Sequence, residues 1–533
     1  MPIRILDFVL PLAEEETSLK AKLAQSLRIS VEEIEDFKIV KKSLDARHKS
    51  QIQFVYSIEI LLKPLREEQL LRNPPSRLKI RNVLPLTPLP SITVLRKPAY
   101  RPIVVGTGPA GLFAAMRLAE AGWPPFIVER GPEILQRVKD VEAFWKDGTF
   151  NPESNVQFGE GGAGTFSDGK LFTRVHDPRI PFILETFVRF GAPSEILYLQ
   201  RPHIGTDRLR RMVANVREHL IRKGAEFRFQ TKLTGLRIAD RGLQGVRLNE
   251  REEIATSLLF LAIGHSARDT YQTLFEAGVA LAPKPFAMGL RVEHPQRLID
   301  RIQYGPSAGH PRLPPAAYQL AYRASSGRAV YSFCMCPGGW VIGASSEAGC
   351  LVTNGMSFYL RNAPMANSAL VVNVVPSDLE GEGPLAGVAF QRHWEKKAFA
   401  LGGKSFHAPA QALLGFLRDQ PDFPLGPTSF RPGITPARLD DCLPDFVARS
   451  LREALPFFNR KMPGFFSPEA NLIGVETRTS APVRILRNPD FESVSLQGLF
   501  PIGEGAGYAG GIVSSALDGL KAAETALQRL SGP

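Results

Sequence analysis

Apolar and polar side chains alternate from Ile3 to Leu10, the period of a strand with one buried face. Leu19, Leu23, Ala24 and Leu27 then recur at helical spacing behind an acidic first turn at Glu14, Glu15 and Glu16. Alternation returns over Phe37 to Lys42 and Gln51 to Leu62, so residues 1–71 predict a small α+β domain of strand, helix, strand, strand. From Arg72 the pattern lapses. Pro74, Pro75, Pro85, Pro88, Pro90 and Pro98 share the stretch with Arg77, Lys79, Arg81, Arg96 and Lys97, which predicts a basic, Pro-rich linker over 72–98. Strands and helices alternate from 99 to about 282, a Gly/Pro-rich, strand-leaning region fills 283–470, and a strand followed by a helix occupies 471–533.

The chain has 533 residues, 44% hydrophobic and 22% charged, the composition of a globular protein of two or three domains, which excludes a disordered tail protein. Its 46 glycines and 44 prolines are scattered, so they mark turns and not low-complexity sequence. A net charge of +12 over this length permits an anionic partner without requiring one. No acid falls between Glu68 and Glu120, and the cations from Arg72 to Arg101 make RNA a candidate partner; without interleaved aromatics, a solvated arm is the plainer reading. Four cysteines, at 334, 336, 350 and 442, do not make a disulfide framework and fit a reducing compartment. The start MPIRILDFVLPLAEEE lacks the plan of a secretory signal, and no apolar run approaches the roughly 18 residues of a membrane span. The expectation is a cytoplasmic protein without a membrane partner; its oligomeric state is left open.

The sharpest motif is RPIVVGTGPAGLFAAMRLAEAGWPPFIVER. A short apolar strand, Ile103 to Val105, runs into Gly106-x-Gly108-x-x-Gly111; Leu112 to Glu120 reads as a helix, Gly122 as its stop, and Phe126 to Val128 as a second strand ending at Glu129. Gly106 allows the tight turn, Gly108 lets the backbone approach a pyrophosphate on the helix N-terminus beside Pro109 and Ala110, and Gly111 lets helix and strand pack closely. Glu129 stands where an adenosine ribose is bound, and Arg130 beside it is the alternative contact for a 2′-phosphate. This is a dinucleotide-binding unit.

A second stretch, GLFPIGEGAGYAGGIVSSALDGLKAAETAL, places Gly503-Glu504-Gly505 after a strand and Gly510-Gly511-Ile512 at the start of a helix. The pairing resembles the glutathione-reductase-type FAD fold. With GEGGAGTFSDGKL, AIGHSARD, CMCPGG and ETRTSAPVRIL, the chain resembles, over nearly its whole length, the bacterial NAD(FAD)-utilising, FAD-dependent dehydrogenase family. That resemblance implies an α/β fold: a Rossmann-type FAD domain from 99–282 and 471–533, interrupted by a mixed α+β substrate domain at 283–470 and preceded by the small domain, ferredoxin-like in outline. It further implies FAD contacts from Gly503, Glu504, Gly511 and Ile512, from a flavin-facing loop with Gly162, Ala163 and Lys170, and from Leu233 and Gly264. A second nicotinamide-binding unit is missing, so NAD(P)H is expected only as a transient co-substrate.

For chemistry, Arg478 and Ser480 in ETRTSAP are the candidate catalytic pair, with Arg478 orienting an anionic substrate or, alternatively, held in a structural salt bridge. Asn354, Arg361 and Asn367 are candidate substrate contacts, with turn roles as the alternative. His203, His265 and His407 are isolated candidate acids. Cys334-x-Cys336 reads more readily as a buried structural pair on one strand face than as a redox dithiol or metal ligands, and no metal is expected. The resulting expectation is an FAD-dependent oxidoreductase moving a hydride to or from a small organic molecule; a flavin-dependent RNA-modifying enzyme and a non-catalytic FAD-binding protein are the alternatives.

Overall fold

The computed structural model describes residues 2–83, 92 and 99–531. Of the basic linker, Pro85, Pro88, Pro90, Arg96, Lys97 and Pro98 lie outside the described residues.

The first strand, β1 (Ile3–Pro11), is followed by α1 (Leu19–Leu27), β2 (Asp36–Asp45), β3 (Gln53–Leu61), α2 (Pro64–Arg72) and β4 (Lys79–Asn82). The sheet order is β2-β3-β1-β4, and every neighbouring pair is antiparallel. This is the ferredoxin-like arrangement, with two β-α-β halves interleaved in one sheet. The small domain therefore extends beyond residue 71, and the expected linker starts too early: α2 buries Leu70, and β4 pairs with β1 from Asn82 opposite Ile3 to Lys79 opposite Leu6. Prolines 74 and 75 sit in the short turn between α2 and β4. Three of the described cations of this stretch pair within the chain, Arg72 with Glu68, Lys79 with Asp7 at 2.9 Å and Arg101 with Glu226 at 3.4 Å.

The dinucleotide unit folds as its pattern predicts. A five-stranded parallel sheet runs in the order Leu499–Pro501, Leu259–Leu261, Ile103–Val105, Phe126–Val128, Glu226–Arg228. Each of the central strands is a three-residue apolar run, as a sheet covered on both faces requires. Helix α3 (Pro109–Glu120) is buried along nearly its whole length and packs closely on the C-terminal helix Ile512–Ser531; Gly519 allows the approach, since a Cβ there would lie 2.0 Å from the Ala110 carbonyl oxygen. Helix α4 (Ile134–Asp147) follows the second strand.

The inserted region builds a seven-stranded sheet in the order Ala321–Arg323, Ala329–Cys336, Met365–Val374, Phe286–Pro295, Asn471–Glu476, Ala408–Ala412, Ile434–Pro436. Its boundary differs from expectation at the C-terminal side. Asn471–Glu476 pairs with Phe286–Pro295, so the cap sheet reaches at least residue 476 and not 470. Its apolar run looks the same in either sheet, and only pairing decides which. One continuous core joins this sheet to the small domain, including Ile5, Leu23 and Ile58 on one side and Leu290, Leu370 and Phe458 on the other. Arg312 fastens the junction by donating to the Leu12 carbonyl at 2.7 Å. No described helix is long and apolar enough to cross a membrane.

Candidate functional site: an elongated cavity over the glycine loop

A cavity of about 400 Å³ runs along the C-terminal ends of the parallel strands and under the seven-stranded sheet. Gly106, Gly108, Pro109 and Ala110 form one wall; Gly162, Ala163 and Lys170 face them; Leu233 and Gly264 line one end, and Gly503, Glu504, Gly511 and Ile512 close the side. The structure thus gathers these sequence-predicted positions around one space. Gly111 is not on the cavity wall: a Cβ there would fall 2.0 Å from the Gly106 carbonyl oxygen, so its place is the close helix-to-loop contact.

The glycine positions are dictated by contact. Gly106 has φ +99°, and a Cβ on it would sit 2.3 Å from the Ala262 carbonyl oxygen. Gly108 caps α3 without any side-chain hydrogen bond to the first turn, and Pro109 occupies the first helical position. Ala110 of that turn lines the cavity, and a helix N-terminus with uncapped amides is the arrangement that receives a pyrophosphate. Gly162, with φ +66°, stands opposite; a Cβ on it would lie 3.1 Å from Gly108 Cα. A polyanion lying between two bare backbones fits; side chains there would fill the space.

Glu129 and Arg130 both line the cavity, and each is already bonded within the protein. The Glu129 carboxylate accepts from the Thr107 amide (3.0 Å) and hydroxyl (2.8 Å), and from the amides of Gly131 (3.1 Å) and Gly159 (3.0 Å). It borders the cavity, but its lone pairs already stitch three loops together, so a ribose hydroxyl has to share them. Arg130 is not free for a 2′-phosphate: it donates to Glu153 at 2.8 Å, grips Asp269 with two bonds of 2.9 and 3.0 Å, and stacks on Phe158.

The loop that carries Gly162 is shaped by a residue the sequence reading missed. Arg137 of α4 is fully buried and donates to five backbone carbonyls: Asn155 (3.0 Å), Val156 (3.0 Å), Gly159 (3.1 Å), Glu160 (2.6 Å) and Gly162 (3.0 Å). Gly159 must be glycine, since a Cβ would meet Arg137 Cδ at 2.4 Å. Burial pushes the guanidinium down to about 9, with Glu129 and Glu160 opposing.

At the far end the wall becomes ionic. Asp168 is buried and held by Arg361 through two bonds of 2.8 and 2.6 Å, by the Ser357 hydroxyl and by Lys170 at 3.0 Å. Burial alone would raise its pKa, but Lys170 and Arg361 outweigh that and hold it well below the usual carboxylate range. Arg361 therefore does not contact the cavity as a substrate ligand; it holds Asp168. Asn367 is also corrected: it is buried behind the wall, accepting from Arg291 at 2.8 Å. Asn354 does reach the cavity, beside Phe333 and Cys334.

Arg478 reaches the cavity, but the alternative salt bridge is what forms. Its guanidinium grips Glu395 at 3.0 and 2.9 Å and donates to Ser266 (3.0 Å) and Ser346 (2.5 Å). Arg268 grips the same carboxylate from the other side at 2.9 and 2.8 Å. Glu395 is fully buried; burial would raise it, yet the two arginines keep it well below the usual range. Ser480 lies off the cavity, accepting from Lys284 at 3.2 Å. His265, on the cavity wall, contacts Ser266 at 2.7 Å, and burial followed by Arg478 and Arg268 pushes it down to about 3, so it is neutral at physiological pH. His203 lies against Tyr359, pushed down to about 4 by burial and then Arg361. Glu504 rises to about 7 through burial, opposed by Lys284.

The three cysteine, glutamate and glutamate ligand atoms of Glu347, Cys350 and Glu395 lie close enough for a metal, but both carboxylates are already bound by arginines.

The parallel sheet, its glycine loop and the cavity over that loop define a Rossmann-type dinucleotide-binding fold. Residues 285–479 match the family described as "FAD-dependent protein, C-terminal domain-like", and residues 2–61 match a domain of unknown function, DUF8436. An uncharacterized protein of Clostridium beijerinckii is 45% identical over 537 residues, covering 100% of both chains, and the chain belongs to the same family as that protein. Among solved structures, the flavin-dependent brominase Bmp2 is 12% identical (81% of this chain, 80% of that chain, TM-score 0.37). A geranylgeranyl bacteriochlorophyll reductase-like protein of Thermoplasma acidophilum is 13% identical (81% and 80%, TM-score 0.34). FAD is the protein's cofactor.

Proposed function

We propose that the protein is an FAD-dependent oxidoreductase that transfers a hydride between the flavin and a small organic substrate admitted at the Lys170 and Cys334 end of the cavity, with NAD(P)H as a transient donor. One observation carries this reading: a single cavity connects the bare amides of α3 to a wall of ionised and thiol side chains. Bound there, FAD would supply a centre that takes up or returns two electrons as a hydride. The chain's residues do the rest. The first turn of α3 and the loop around Gly162 hold the pyrophosphate, and the N-terminus of the helix Ile512–Ser531 favours negative charge on the cofactor rim. Lys170 offers its ammonium to an anionic substrate, and Arg478, rigid in its pair with Glu395, contributes positive field without donating directly. Phe333 and Ile512 supply apolar surface that keeps water from the reacting edge.

The test is anaerobic rapid mixing of the FAD-loaded protein with NADPH and NADH, followed by a panel of small oxidisable and reducible molecules. Bleaching of the flavin band by a nicotinamide, and its return with one class of acceptor, is the expected result. A flavin that no nicotinamide or small molecule reduces or reoxidises above the free-FAD rate would overturn the reading.

A further inference from the structure

The strand Ala329–Cys336 pairs regularly with Met365–Val374 as far as Phe333, then slips, and pairing resumes with Cys336 opposite Asn367. In this bulge Cys334 adopts φ +45°. Without the bulge, residues two apart would share one face; with it, the two thiols take different surroundings. Cys334 is half-buried on the cavity wall, whereas Cys336 is fully buried behind it. The Cys336 thiol donates to the Cys334 carbonyl oxygen at 3.3 Å, and its Sγ lies 3.7 Å from Lys170 Nζ.

The charges around the pair come from several elements. Lys170, from the flavin-facing loop, and Arg291, from Phe286–Pro295, are cationic; Arg291 Nη1 is 3.3 Å from the Cys334 carbonyl. Asp168 is anionic and gripped by Arg361; the Glu476 carboxyl, raised by burial against Arg291, is gripped by that arginine, and His203 nearby is neutral. A thiolate at this place is therefore met by Lys170.

We propose that Cys334 and Cys336 form a redox-active dithiol that passes two electrons between the flavin and a small-molecule disulfide entering the cavity. This rests on the flavoenzyme reading above and names its substrate class. In the reducing direction the Cys334–Cys336 bond breaks on taking up two electrons, which a bound reduced flavin would supply with one proton; solvent gives the second proton, and two thiols result. Cys334 loses its proton to solvent and, as thiolate, attacks a sulfur of the external disulfide, breaking its S–S bond, forming a mixed disulfide and releasing one thiolate. Cys336, losing its proton in turn, attacks the Cys334 sulfur, restoring the internal disulfide and releasing the second thiolate; the two released thiolates take up the two protons.

The contrast with the other cysteines supports this. Cys350 and Cys442 are pushed up by burial to about 11 and about 12, as inert buried thiols are. Cys334 moves the other way, first through the Cys336 thiol beside it and then, against burial, through Lys170 and Arg291, while Cys336 rises.

Two measurements decide it. In FAD-free, pre-reduced full-length protein, limited iodoacetamide labelling at neutral pH, mapped by peptide mass, should modify Cys334 at least about tenfold faster than Cys442. In FAD-loaded protein pre-oxidised with diamide and then cleared of it, photoreduction should consume four electrons per flavin in wild type and two in Cys336→Ser, with the wild-type Cys334–Cys336 peptide two hydrogens lighter before reduction and not after. Equal labelling of the cysteines, or two electrons in the wild type with no internal disulfide, would overturn the proposal. Failure of the protein to load FAD would sink the flavin reading and with it the electron route, while the labelling result would still report the thiols separately.

Discussion

Replacing Arg137 by methionine should weaken FAD binding far more than its distance from the cavity suggests. The side chain makes five hydrogen bonds to carbonyls between Asn155 and Gly162, and no acid accepts from it directly. Charge-assisted bonds contribute about 1.5–3 kcal/mol each, so the five gross roughly 10 kcal/mol. Burial opposes them. A guanidinium pushed down from 12.5 to about 9 carries an unrepaid desolvation cost of about 5 kcal/mol, which methionine, of similar length and uncharged, avoids. The balance leaves a loss of about 5 kcal/mol, shared between global stability and the local cost of re-forming the loop on binding. If half falls on the loop, FAD affinity drops about seventyfold. Arg137→Lys, with three donors and no planar fork, should fall between. Flavin fluorescence quenching gives the affinity and thermal unfolding the stability. A methionine variant with FAD affinity within about threefold of wild type would refute the claim that Arg137 shapes the flavin loop.

Other consequences can be checked as directly. Gly106→Ala places a Cβ 2.3 Å from the Ala262 carbonyl at a φ of +99°, so it should abolish FAD loading, whereas Gly122→Ala, with open space around it, should cost only its positive-φ strain of about 1 kcal/mol; absorbance of the purified variants reads both. Glu395→Gln leaves Arg268 and Arg478 facing each other without a full counter-charge and should cost about 3–5 kcal/mol in urea unfolding. In FAD-free protein, the raised Glu504 carboxyl means the native state keeps a proton that the unfolded chain loses; stability therefore falls as pH rises from about 4.5 to about 7. Open to the cavity on one side, this group should contribute about 2 kcal/mol of that fall, and Glu504→Gln should flatten the profile in the same window.

The parts of this molecule that lie close together in sequence were legible there. Gly106, Gly108 and Gly111 each have the local role their spacing implies, and Gly503 to Ile512 arrive on the same cavity because a short strand and helix carry them. The small domain was half legible. Strand β4 escaped because Lys79–Asn82 is a four-residue edge strand among prolines, with only Ile80 turned inward, too short for alternation to show. What remained hidden is long-range. Arg137 looks like an ordinary polar residue on an amphipathic helix until the loop 18 to 25 residues further on wraps its carbonyls around it. Arg361 and Arg478 were singled out as cations, but their partners Asp168 and Glu395 lie 193 and 83 residues away. The bulge at Cys334 left no mark either, because Tyr-Ser-Phe-Cys-Met-Cys reads as regular alternation.

The account stands or falls on the cavity being a flavin site. Protein stripped of bound nucleotide, with its fold checked by circular dichroism, should be titrated with FAD and followed by the visible absorbance shift. The account predicts saturation at one FAD per chain, with the break point lost in Gly106→Ala. A folded protein that stays colourless after dialysis against excess FAD would contradict it.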